Sequence, residues 1–194
     1  MLPTQEPSSS RKKPKSSFLN EVGIELIKRY SPARTKIGFD RYASYQTELG
    51  DWRIGYDSST LHGKALNFCA RATEEEVEKQ LLADLLPFAA LVEHYVQMPL
   101  NAKKKGAILS YAHSVGIPTF KECDLLQLIN RRASKKEIIK EWSPYINRKD
   151  YYPEHLRERR RVELNTYLAA DLEVPLLCKH TCALNQCLLN IADT

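Results

Sequence analysis

The sequence predicts an α+β domain: an N-terminal helix, a small antiparallel β-hairpin or sheet, then a mostly helical bundle. Three observations carry this prediction. A helical apolar stripe stops at Pro32, aromatic and β-branched residues alternate with polar ones over residues 35–60, and capped apolar stripes recur at helical spacing from Thr73 onward.

Leu19, Val22, Leu26, Ile27 and Tyr30 fall on one helical face. Pro32 cannot continue that helix and biases Ser31 away from helical dihedrals. Beyond it, Ile37, Phe39, Tyr42, Tyr45, Trp52, Ile54 and Tyr56 interleave with polar residues, and Leu49-Gly50-Asp51 supplies a turn. Thr73 and Glu76 form a capping-box pattern ahead of Val77, Leu81, Leu82, Leu85, Ala89, Val92 and Val96, a stripe that Pro87 is expected to kink or divide. Asn101 caps a helix carrying Ile108, Tyr111, Ala112 and Val115 that closes near Gly116 and Pro118. Further helices are expected over residues 121–131, over 135–142 behind Ser134 and Glu137, and over 154–169 opened by Pro153.

The chain has 194 residues and a net charge of +5. Residues 1–17 carry Arg11, Lys12, Lys13 and Lys15 against Glu6, a net +3, which leaves +2 for the rest. The positive charge therefore belongs to a Pro-, Ser- and Lys-rich arm that reads as flexible, and nucleic acid is not an expected partner. No apolar run is long enough for a membrane span and no signal-peptide core follows Met1, so no membrane association is expected. Five cysteines, Cys69, Cys123, Cys178, Cys182 and Cys187, form no regular framework, which points to a reducing compartment.

Several stretches, taken together and in order, resemble the phage-type lysozymes, the muramidases also called endolysins. GIELIKRYSPAR is similar to that family's first helix leading into Phe-Glu-Gly-Leu-Arg, and YQTELGDWRIGYDSS to its Tyr-x-Asp-x-x-Gly-x-Trp-Thr-Ile-Gly-Tyr-Gly-His-Thr hairpin. ATEEEVEKQLLADL resembles the long helix that follows. MPLNAKKKGAILSYAHSVGIPTF resembles the Leu-Asn to Ser-Phe-Ala-Phe-Asn-Val-Gly helix and turn, and LRERRRVELNTYL the closing Leu-x-x-Arg-Arg-x-x-Glu helix. The resemblance covers Gly23 to Leu168 and implies a division into a basic arm (1–17), a lysozyme-like domain (18–168) and a C-terminal extension (169–194).

It also implies an altered site. Glycoside hydrolysis needs one carboxyl group to protonate the leaving oxygen and a second to activate water or stabilise the sugar cation. The family's acid falls on Ser31, its following Gly on Pro32, its hairpin Asp on Thr47, and its Gly-His-Thr on Asp57-Ser58-Ser59, where only Ser59 keeps a hydroxyl. About ten residues around TKIGFDRYAS sit where the family has a short link. Glu48 and Asp57 are the candidates for displaced carboxylates, although turn acids such as these and Asp51 ordinarily serve solubility. Tyr45, Trp52 and Tyr56 are candidates for stacking on sugars in the cleft.

Outside that pattern, Cys178, His180, Cys182 and Cys187 are candidate metal ligands, but their spacing interleaves with leucines as in a packed helix, so no metal and no cofactor are expected. His94 and His113 read as core-edge histidines. The basic clusters at Lys103–Lys105, Arg131–Lys136 and Arg157–Arg161 read as solvated faces with ion pairs that an acidic partner surface could meet. The function expected from all this is a non-catalytic structural or interaction protein of a phage virion, in the tail or baseplate. It would be made in the host cytoplasm and held by other phage structural proteins, with peptidoglycan as a further candidate partner. The alternative is an active endolysin or virion muramidase that cleaves peptidoglycan with displaced carboxylates.

Overall fold

The computed structural model describes residues 16–169. Cys178, His180, Cys182 and Cys187, the candidate metal ligands, lie outside the described residues, as do the arm up to residue 15 and the extension from residue 170.

α1 (Glu21–Tyr30) is capped by the Asn20 side chain, which accepts from Gly23 N, and it ends at Ser31, whose N–H still donates to Ile27 O. A chain of short strands follows: β1 (Lys36–Ile37), β2 (Arg41–Ala43), β3 (Tyr45–Gln46), β4 (Trp52–Arg53), β5 (Thr60–Leu61), β6 (Lys64–Ala65) and β7 (Arg71–Thr73). β1, β2 and β7 make one antiparallel sheet, with Lys36 opposite Tyr42 and Tyr42 opposite Ala72. β3–β4 and β5–β6 are separate hairpins. The strands thus reach beyond residue 60, where the sequence pattern was expected to end. The β5–β6 turn places His62 and Gly63 at φ 52° and 74°, a left-handed pair suited to a tight hairpin that the residues 35–60 pattern does not reveal.

Seven helices are described in all. α2 (Glu74–Tyr95), opened by the Thr73/Glu76 capping box, runs unbroken through Pro87. The expected division does not occur because Leu81, Leu85, Ala89 and Val92, on both sides of the proline, are all within the same core. α3 (Ala102–Val115) is its centre, with Ala107, Ile108, Leu109 and Ala112 fully buried. Pro118 opens α4 (Ile117–Glu122) instead of merely closing α3, since the first turn needs no N–H from it. α5 (Asp124–Asn130) is separated from α4 at Cys123, and α6 (Lys135–Asn147) continues past residue 142 with Pro144 inside it. α7 (Glu154–Ala169) closes the bundle.

α1 crosses α3 at two glycines. A Cβ added at Gly106 would stand 2.7 Å from Gly23 N, so only glycine permits this approach. A second, smaller core of Tyr42, Ile54, Ala72 and Val77 lies under the strands, and Tyr56 packs against both cores. At the other end Phe18 is buried, and Ser16 donates to Glu93 at 2.9 Å with Ser17 donating to the same carboxylate. No helix among the described residues is long and apolar enough to cross a membrane.

Candidate functional site

Between the strand region and the bundle lies a cleft of about 490 Å³. One wall is the end of α1 and its continuation, with Tyr30, Ser31, Pro32 and Arg34. A second is the stretch after β4, with Gly55, Tyr56 and Asp57. α2 contributes Asp84 and Phe88, and α3 contributes His113. The cleft arises where the C-cap of α1 meets the hairpin: Arg34 N donates to Gly55 O at 3.0 Å, which draws residues 31–34 alongside residues 55–57.

Asp57 takes up a backbone conformation that residues with a Cβ seldom adopt, with φ 70°. Asp is among the side chains that tolerate it, at a modest cost. The backbone pair Ile54–Ser58 closes the turn around it, with Ile54 N donating to Ser58 O at 3.0 Å and Ser58 N to Ile54 O at 3.1 Å, while Tyr45 donates its phenolic hydrogen to Asp57 Oδ1 at 2.8 Å and Arg53 Nη1 donates to the Asp57 carbonyl at 3.4 Å. Burial, reinforced by the bond to Asp57, pushes the Tyr45 phenol up to about 12. Arg34 stacks on the same Tyr45 ring, 5.8 Å from its centre. Asp84 enters the cleft from α2 with Gln80 Nε2 donating to it at 2.9 Å.

His113 packs edge-on against Phe88, with ring centres 5.6 Å apart. Burial, with the Arg159 guanidinium nearby, lowers its pKa to about 4, so the imidazole is neutral at physiological pH. In the α1 wall of the cleft, the Ser31 hydroxyl accepts from Arg159 Nη1 at 3.4 Å. Behind it is a polar network that the sequence pattern did not reveal. Arg157, Arg159 and Arg160, expected on a solvated face, are buried instead, at 8%, 4% and 6% exposure. Glu163, wholly buried, accepts from Arg159 Nε at 2.9 Å, from Arg160 and from the Ser110 hydroxyl at 2.6 Å. The glutamate neutralises enough charge to let α7 turn this face inward, and Ser110 O and Ser114 Oγ complete the arginines' bonding.

Of the residues singled out in the sequence, Ser31, Tyr56 and Asp57 line the cleft, and Tyr45 stands behind Asp57. Thr47 lies in the β3–β4 turn, where its hydroxyl accepts from Asp51 N at 3.2 Å, and Glu48 is exposed in the same turn. Ser59 is exposed beyond Asp57, and Trp52 pairs with Gln46 across the hairpin; neither is among the cleft-lining residues. Asp84 and His113 are cleft residues that sequence reasoning did not assign there. Asp84 flanks the apolar stripe of α2 beside Leu85. His113 stands where the resembling helix carries a Phe, a departure visible in the sequence itself.

The family model for phage lysozyme matches residues 38–163, well over half of the chain. An endolysin of Bacillus phage B103 is 30% identical over 112 residues; the match takes in 58% of this chain but only 40% of that protein, so the chain spans about two fifths of that relative's length. Among solved structures, the muramidase domain of SpmX from Asticaccaulis excentricus has a TM-score of 0.62 and 27% identity, covering 77% of this chain and 96% of that one. An endolysin from Escherichia coli O157:H7 phage FAHEc1 has a TM-score of 0.63 at 23% identity over 77% of this chain and 92% of its own, a likeness of fold. The matched span and the α+β architecture agree: the chain belongs to the phage lysozyme family.

Proposed function

We propose that the protein acts on the glycan strands of peptidoglycan as an endolysin-type muramidase, binding them in the cleft and using Asp57 and Asp84 as its carboxylates. The observation that carries this reading is Asp57, a carboxylate on the cleft wall whose Oδ1 is fixed by the Tyr45 hydroxyl at 2.8 Å. Support also comes from the relatives, which are named as endolysins and a muramidase domain.

Hydrolysis breaks the glycosidic C–O bond, adds the elements of water across it, and requires a proton on the leaving oxygen. Ser31, at the place the resemblance assigns to the acid, has no carboxyl to give that proton. In the proposed mechanism Asp84 supplies it from α2, and Asp57 faces the sugar from the hairpin to receive the water proton or stabilise the developing cation. Tyr56, half-buried between the two cores and lining the cleft, offers a face for a sugar ring. Glu48, at an exposed turn, has no part in this arrangement.

The test is a zymogram on purified cell walls with the wild-type chain and Asp84→Asn. Clearing by the wild type and its loss by about 100-fold or more in the variant is the expected result; clearing that survives in Asp84→Asn removes that residue from the role.

A second reading, a non-catalytic component of a phage particle docked to other virion proteins, rests on the absence of a carboxyl at Ser31 and Thr47. It predicts co-sedimentation with virions at fixed stoichiometry and no wall cleavage. The named relatives favour the hydrolase.

A further inference from the structure

The β1–β2–β7 sheet turns one side to the core and the other to solvent. Tyr42 and Ala72, paired across β2 and β7, are buried. Side chains alternate along a strand and directly paired residues share a side. Ile37, which pairs with Arg41, and Arg71, which pairs with Ala43, therefore lie on the outer side together with Arg41. Ala43 is small and buried, whereas Ile37, Arg41 and Arg71 are exposed. Arg71 Nη1 donates to the Phe68 and Ala70 carbonyls at 3.3 and 2.9 Å, both neutral groups, and neither Arg41 nor Arg71 has an ion pair among the described residues.

A phenylalanine stands at each end of β2. Phe39, in the β1–β2 turn, is 95% exposed, and Phe68, in the loop before β7, is 70% exposed. Both segments are tied to the fold. Glu74 N donates to Asp40 O at 2.8 Å beside Phe39, while Ser44 N donates to Ala70 O at 3.0 Å and Ser44 Oγ to Asn67 O at 2.7 Å around Phe68. A depression of about 400 Å³ adjoining Arg71 adds His62, Lys64 and Asn67. Glu74 is paired with Lys36 at 3.2 Å and Glu76 with His62 at 2.9 Å, and Asp40 and Glu75 are exposed acids close by in the chain. The stretch TKIGFDRYAS, which stands where the resembling family has a short link, builds most of this face, and neither the two phenylalanines nor the two arginines line the cleft.

We propose that this outer sheet face docks the protein on the surface of an anionic phospholipid bilayer. Phe39 and Phe68 enter the boundary between headgroups and acyl chains, and Arg41, Arg71 and Lys64 pair with lipid phosphates. A bilayer suits the arrangement better than a protein partner does. Aromatic anchors for proteins gather at the centre of a closely packed patch. Here they stand apart, with guanidiniums between them, and a fluid headgroup layer moulds itself around separated projections. Arginine also reaches phosphate while laying its stem along apolar surface, as Arg41 can beside Ile37. Docking of this kind is peripheral. It needs no spanning run, the feature on which the expected absence of membrane association rested.

The test is co-sedimentation of the full chain, at physiological salt, with vesicles of mixed phosphatidylglycerol and phosphatidylcholine and with vesicles of phosphatidylcholine alone. Binding to the anionic vesicles only is the expected result. Arg41→Gln with Arg71→Gln should weaken it about 10-fold or more, and Phe39→Ser with Phe68→Ser several-fold. The four side chains are exposed, so both double variants should melt with the wild type. Arg41→Gln alone should weaken binding about 5-fold and serves if the arginine pair does not fold. Phe39→Trp should show a blue-shifted emission on the anionic vesicles. The proposal is overturned by no binding to those vesicles, by equal binding to both kinds, or by an unshifted Phe39→Trp spectrum. It is overturned too by binding that survives either double variant, as attraction by the basic arm alone would, or by retention on duplex DNA in place of vesicles. None of these readouts involves cleavage, so wall hydrolysis stands or falls by its own test.

Discussion

Tyr45 and Asp57, twelve residues apart, are joined by a 2.8 Å hydrogen bond from the phenol to the carboxylate, and this bond sets the direction of the one cleft acid that stands on the hairpin wall. Tyr45→Phe should therefore cost about 1 kcal/mol of stability and lower wall-directed activity more than binding. Its pH signature is specific. The folded-state pKa is raised from 10 to about 12, so the stabilisation is complete below pH 10 and is lost as pH rises toward about 12. Urea midpoints followed through that window should fall for wild type relative to Tyr45→Phe; parallel curves would contradict the assignment.

His113 gives the opposite limb. Its folded pKa is lowered from 6.5 to about 4, so the folded protein binds the proton less readily than the unfolded chain. Stability is full above about pH 6.5 and is lost as pH falls toward about 4. Replacing it with Phe, which keeps the edge contact with Phe88, should flatten that acid limb. Chemical denaturation at pH 7 and at acidic pH, compared between the two proteins, decides it.

Glu163→Gln should be among the most destabilising single changes in the domain, by about 3–5 kcal/mol, because it leaves Arg159 and Arg160 buried without a counter-ion. A variant that unfolds at the wild-type denaturant midpoint would show that the network is not closed as described.

Gly106→Ala should cost roughly 1–3 kcal/mol or more, since the new methyl meets Gly23 N and Val22 at under 3 Å and neither helix can yield without moving the other. Gly38→Ala, where nothing lies within 4 Å, is the control: its cost comes only from φ 71°. Thermal unfolding of the two variants should rank Gly106→Ala as the less stable.

The elements with strong local signals were legible before any coordinates. The Thr73/Glu76 and Ser134/Glu137 boxes open α2 and α6 as their residues specify, and Asn101 caps α3. What local pattern could not give is set by tertiary burial. Pro87 sits in an unbroken helix because core residues on both sides hold it, and Arg159 and Arg160 look like surface until Glu163 on their own helix and Ser110 and Ser114 on α3 are brought to them. The site was half legible. Ser31 and Asp57 were found through the resemblance, whereas Asp84 and His113 reach the cleft from helices whose periodicity says only that they flank the core.

The proposed wall cleavage depends on Asp57 as a working carboxylate in a glycan cleft. The most direct measurement is mass spectrometry of the soluble products after purified peptidoglycan sacculi are incubated with the full chain and with Asp57→Asn. Fragments with new reducing muramic acid ends are expected from the wild type and a loss of about 100-fold or more in the variant, with sacculus binding kept. Sacculi left intact by a wild-type protein that nonetheless binds them, or equal release by Asp57→Asn, would contradict it.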